Sequence, residues 1–173
     1  MRIYDGSPRQ NYEEVLRSIG AFLDQRGMKE VLLVEAPDGF VVQGMLVENA
    51  SSGAWSEHMG KQTKETFTFL DDDIARFMDE GHARRDAHQH AVTWGQFGYY
   101  EQAFRVVGRY VDEQKPRDIF FFEQDGAFVM RLLMATQTGS RHVIAEFTRD
   151  EVESMIAVAP DLRDKSPRSQ AGA

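Results

Sequence analysis

Residues 12–35, YEEVLRSIGAFLDQRGMKEVLLVE, return 88 positions later as residues 100–123, YEQAFRVVGRYVDEQKPRDIFFFE, and the reading of that recurrence decides the fold. Tyr12, Glu13, Arg17, Gly20, Asp24 and Glu35 meet Tyr100, Glu101, Arg105, Gly108, Asp112 and Glu123 without a gap. The apolar positions keep their type, with Leu16, Ile19, Leu23, Val31 and Val34 facing Phe104, Val107, Val111, Ile119 and Phe122. Beyond Glu35 the two Asp-Gly pairs, Asp38-Gly39 and Asp125-Gly126, align if one residue is deleted, which moves the offset to 87 and sets Val42 against Val129. Self-similarity of this length reads as a duplicated unit.

Within the first unit, Asn11 followed by Glu14 has the spacing of a capping box, so a helix begins there. Tyr12, Leu16, Ile19 and Leu23 form its apolar stripe and Gly27 ends it. Val31 to Val34 is a short apolar run that reads as a central strand buried on both faces. A turn at Ala36-Pro37-Asp38-Gly39 leads into a strand from Phe40 to Val47. A third strand spans Glu65 to Phe69 and matches Val143 to Phe147. The acids Asp71, Asp72 and Asp73 suit the start of a second helix, expected to stop near Gly81, while Thr148 and Glu151 form a capping box in the second unit. The connection from residue 48 to 63 is long in the first unit, and its counterpart, Ala135 to Arg141, is about seven residues.

The expected fold class is therefore α+β: a tandem duplication of an α-β-β-β-α unit, each an antiparallel three-stranded meander flanked by helices, forming one pseudo-twofold body. Residues 1–85 make the first repeat with a flap at 48–63, residues 86–99 a linker, residues 100–163 the second repeat, and residues 164–173 a disordered tail. The helix, meander, helix order resembles that of secretion-chaperone-like folds, a likeness of topology that implies no function.

Glu13, Arg17, Gly20 and Asp24 fall on one helical stripe and recur together in the second repeat. A glycine inside a helix costs about 1 kcal/mol against alanine, so its recurrence asks for close backbone approach. The first helices are expected to cross at Gly20 and Gly108, with Glu13 reaching Arg105 and Glu101 reaching Arg17. Intrahelical pairs on a solvated surface are the alternative.

Composition narrows the functional classes. The net charge of -8 works against binding nucleic acid or an anionic membrane. Absence of cysteine removes disulfides, thiolate nucleophiles and cysteine metal sites, and a polar start without an apolar signal region makes a cytoplasmic protein the expectation. No GxGxxG, GxxxxGK, GxSxG or CxxC occurs. His82, Asp86, His88 and His90, with His58 in the flap, could ligate a divalent transition metal, although surface histidines on a charged linker explain the same letters. Glu35 with Asp38, and Glu123 with Asp125, are acid-base candidates that tight turns also explain. Trp55, His58, Trp94, Phe97 and Tyr99 are candidate ligand-binding residues, against a packing role over the seam between repeats.

The expected function is a non-catalytic binding or interaction module for a protein or small molecule, monomeric or homodimeric and without a cofactor. It would use the groove or sheet face between the repeats and the Trp55 flap. The alternative is a metal-dependent enzyme, such as a hydrolase, built on His82, His88 and His90.

Overall fold

The computed structural model describes residues 11–48, 61–88 and 98–158. The elements run α1 (Tyr12–Arg26), β1 (Met28–Ala36), β2 (Gly39–Glu48), β3 (Lys61–Leu70), α2 (Asp71–His88), α3 (Tyr99–Gln114), β4 (Asp118–Gln124), β5 (Ala127–Thr136), β6 (Gly139–Phe147) and α4 (Arg149–Val158). All six strands form one antiparallel sheet in the order β3-β2-β1-β4-β5-β6. The protein is thus α+β. Among the described residues, no helix is long and apolar enough to cross a membrane.

Local chemistry sets the element ends. Asn11 caps α1, its side-chain oxygen accepting from the Glu14 amide at 2.9 Å, and Gly27 closes the helix in the left-handed region at φ +67°. At the start of α4 the Thr148 amide donates to Glu151 at 2.8 Å while the Glu151 amide donates to the Thr148 hydroxyl at 3.2 Å, a complete capping box. Lys115 ends α3 at φ +52° and Pro116 follows.

Strand alternation then divides the sheet into two faces. Val31, Leu33, Phe40, Val42, Phe121, Phe128 and Met130 point to one face and join a single core with Val15, Leu16 and Ile19 of α1 and Ala103, Phe104 and Val107 of α3. Ile74 and Met78 of α2 and Val152 of α4 complete that layer. Rings interlock in it, with Phe22 edge-on to Phe67 at 5.0 Å and Phe104 edge-on to Phe121 at the same distance.

Several expectations change. The pairing sets Glu35 opposite Phe40 and Glu123 opposite Phe128, so the offset stays at 88 through both hairpins and no residue is deleted. A one-residue slip would have turned every following side chain to the wrong face. Helix α2 continues through Gly81 to His88, because a helical glycine lowers stability without stopping the chain when good helix formers follow. The expected seven-residue connection between the last two strands is a tight turn, with Thr136 paired to Gly139, and β6 is correspondingly longer. Finally, β1 is central but not buried on both sides: Val31 and Leu33 are fully buried, while Leu32 and Val34 on the other face are half-buried.

Candidate functional site

The helices α1 and α3 run antiparallel, and each holds the other's first turn. Asp24 near the end of α1 accepts from the amides of Tyr100 (3.0 Å) and Glu101 (2.8 Å). Asp112 near the end of α3 accepts from Tyr12 (2.9 Å) and Glu13 (3.0 Å). The four amides would otherwise be orphans of the helix starts. Gly20 and Gly108 do not meet each other, as the crossing reading expected. A Cβ on Gly20 would stand 2.6 Å from the Tyr100 carbonyl carbon, and one on Gly108 would stand 2.7 Å from the Glu13 Cα. Each glycine admits the opposite helix's first turn. In an antiparallel pair whose starts are capped by the opposite ends, the middle of the contact falls at Arg17 and Arg105, one turn short of either glycine.

The charged stripe lies in this seam. Arg17 Nε is 3.4 Å from Glu101 Oε1, with both side chains buried. Arg105 Nη1 is 3.8 Å from Glu13 Oε1, and Glu13 makes a closer pair with Arg109 at 2.8 Å. The matched position in the first helix is Ala21, so Arg109 carries no signal in the recurrence.

The carboxylates beside the hairpin turns are structural hooks. Glu35 is buried and accepts from the Tyr12 hydroxyl at 2.9 Å and the Ile119 amide at 3.2 Å. Glu123 accepts from the Tyr100 hydroxyl at 2.6 Å. Burial first, and then the Glu123 acceptor and its charge, push the Tyr100 hydroxyl far above the ordinary phenol value. Asp38 and Asp125 sit exposed in their turns, and Asp38 offers its carbonyl to the Asp71 amide at 3.1 Å. The two glutamates thereby fix the helices to the sheet.

Of the aromatic candidates, Tyr99 packs at the start of α3, its ring 6.5 Å from that of Phe128 and 5.2 Å from the Arg149 guanidinium carbon, on the helix side of the sheet. Trp55, His58, Trp94 and Phe97 lie outside the described residues. So does His90. The backbone of α2 carries His82, Asp86 and His88, whose side chains are not described, and among the described residues no group of three His, Asp or Glu could hold a metal ion. A cavity of about 180 Å³ opens between α1 and α2, lined by Ser18, Ala21, Phe22, Gln25, Phe77 and Glu80.

The sheet's second face is the surface that the sequence reading did not resolve residue by residue. The register places Leu32 opposite Phe122 and Val34 opposite Phe120 at the centre, with Val41 beside Val34 and Val129 beside Phe122. These six side chains are half-buried, and the Phe120 and Phe122 rings lie 6.0 Å apart. Outward from them the face turns polar, through Gln43, Thr66 and Thr68 on one flank and Arg131 and Glu146 on the other. Among the described residues all four helices pack on the opposite face. The signal was present in the uninterrupted apolar runs VLLV (31–34) and IFFF (119–122), which supply apolar side chains to both faces of the sheet.

Fold and site together define a two-layer α+β protein, helices over one side of an antiparallel sheet, with an apolar centre on the other side. Comparison with protein-family models, with curated proteins and with solved structures returns no match.

Proposed function

We propose that this chain is a non-catalytic binding or interaction module whose recognition surface is the second face of its sheet. One observation carries the reading: Leu32, Val34, Phe120 and Phe122 make an apolar row on the face opposite the described helices. Large side chains gathered at the centre of a polar-rimmed patch are what a docking site needs. The partner class is a protein or a small molecule, given a net charge of -8 that opposes nucleic acid, in a cytoplasmic setting. Trp55, on the connection from β2 to β3, belongs to the same proposal.

A tandem duplication underlies this reading. Its support is the constant offset of 88 that relates Leu33 to its partner Phe121, Asp24 to Asp112, Glu35 to Glu123, and the bounds of β2 to those of β5. Two α-β-β-β-α units about a pseudo-twofold axis between β1 and β4 generate a continuous sheet with one uninterrupted outer face.

The test uses Nile red, a neutral dye that fluoresces in apolar surroundings, on dilute protein. Binding that is lost in a Val34→Lys, Phe122→Lys double variant with an unchanged far-UV circular dichroism spectrum supports the reading; no binding to either protein counts against it.

The second reading is a metal-dependent enzyme, and its one favourable observation is the continuity of α2, which sets His82 and Asp86 four residues apart on a single helix. Metal-stripped protein is melted with zinc, nickel, manganese and iron(II). A site saturated at 100 times its dissociation constant adds about 2.7 kcal/mol, a rise of several degrees. A rise abolished by His82→Ala, His88→Ala favours this reading, and no rise with any ion removes it.

A further inference from the structure

We propose that the occupant of the second sheet face is a second copy of this chain, the two stacking sheet on sheet. The inference rests on the reading of that face as the recognition surface and names what covers it. Size is the first argument. Six strands at about 4.8 Å spacing and seven to ten residues of about 3.4 Å each give a face of roughly 600–800 Å², close to the roughly 800 Å² per partner of a stable interface. A docked helix, about 10–12 Å across, would cover at most about half of the roughly 24 Å width. A second sheet covers it all, its side chains interdigitating across about 10 Å.

Charge is the second argument. The chain as a whole carries -8, which opposes self-association. Charges of both signs share this face, among them Lys64 and Arg131 with Asp118 and Glu146. Two copies can therefore meet here with less of the repulsion that the acidic excess imposes elsewhere. Self-complementarity is the third. A twofold contact presents the same patch from both sides, so an apolar centre meets an apolar centre and a polar rim meets a polar rim. Ile144, 67% exposed on β6 beside Arg131, extends the apolar surface toward one edge and gains cover in the same step.

The experiment is analytical ultracentrifugation of the full chain from about 1 to about 100 µM, the range in which interfaces of this size associate. The expected species has twice the 19.7 kDa chain mass. Val34→Lys with Phe122→Lys buries unpaired charge at the centre and weakens the dimer by about 100-fold or more, with the circular dichroism spectrum unchanged. Because those positions are half-buried, Arg131→Glu at the exposed rim is the second variant. It makes the face more acidic and weakens association by about tenfold, more at low salt than at high. A monomer at every concentration overturns the proposal, as does a dimer indifferent to both variants, the behaviour that pairing of the open β3 or β6 edges would give. A monomer whose Nile red binding is lost in the double variant rejects the second copy alone. A monomer that binds no dye rejects the recognition surface as well.

Discussion

Asp24 takes the place of an N-cap for Tyr100: its carboxylate receives the Tyr100 and Glu101 amides at 3.0 and 2.8 Å across the helix seam, while the residue in the cap position, Gly98, offers no side chain. A Cβ on Gly98 would overlap the Asp24 carboxylate, so the local cap is missing where the distant one needs room. Truncation to Asp24→Ala orphans two amides of a helix start, and should lower stability by about 1–2 kcal/mol in urea unfolding. Asp112→Ala does the same to Tyr12 and Glu13 but leaves Asn11 holding Glu14, so its loss should be the smaller of the two.

Both carboxyls are raised above 3.8, burial being the largest cause, although two amide donors pull each the other way. A folded pKa above the unfolded one means that the folded state holds the proton more tightly, so stability from these groups falls as pH rises from about 3.8 through the folded value. The stability difference between wild type and Asp24→Asn, which cannot titrate there, should decline over that window and stay flat above it. Urea unfolding at a series of pH values between about 3 and 7 measures this. A difference that grows with pH would mean that the amides, not burial, govern the site.

Both ends of α1 and the start of α4 were legible because caps are local: Asn11, Gly27 and the Thr148-Glu151 pair act within four residues of themselves, whereas Gly81 misled for the end of α2. Turn residues gave the order within each set of three strands in the same way, but not the β1–β4 pairing that joins the two sets into one sheet. The Asp24 and Asp112 caps were not read, yet a signal existed. An acid in the last turn sits at the unfavourable negative end of its own helix, and two such acids at one register imply that another helix start lies close by. The hairpin register was misread because Asp-Gly occurs in both turns one residue out of phase; the phenylalanines at 40 and 128, spaced by 88, carry the true alignment. Apolar runs such as VLLV state that both faces are greasy, not which face the chain itself covers. That second half of the information is a matter of where four helices pack, and the apolar centre of the candidate surface emerges only with it.

Gly20→Ala and Gly108→Ala oppose two effects of known sign. Alanine improves helix propensity by about 1 kcal/mol. The new methyl meets backbone of the opposite helix at 2.6–2.8 Å, where no side chain can swing aside, and overpacking of that kind costs about 1–3 kcal/mol. Steric overlap should win. Each variant is expected to melt lower than wild type by several degrees in calorimetry; a variant that melts higher would show that the two helices do not approach this closely.

The hooks from helix to sheet should differ in strength despite their matched residues. The Tyr12 hydroxyl donates to Glu35, which is 8% exposed and also anchors the Ile119 amide of β4, so one carboxylate ties α1, β1 and β4 together. The Tyr100 hydroxyl donates to Glu123, which stands half-buried at the end of β4, where water can replace a lost donor. Tyr12→Phe removes a charge-assisted bond from a carboxylate held out of water, for an expected loss of about 1.5–3 kcal/mol. Tyr100→Phe should lose about 1 kcal/mol or less, even though its bond is the shorter, because hydration of Glu123 compensates. Urea titrations of the two variants, read at matched slopes, give the comparison. Equal losses would mean that exposure of the acceptor does not decide the strength of these hooks, and a larger loss at Tyr100 would assign the greater anchoring role to α3.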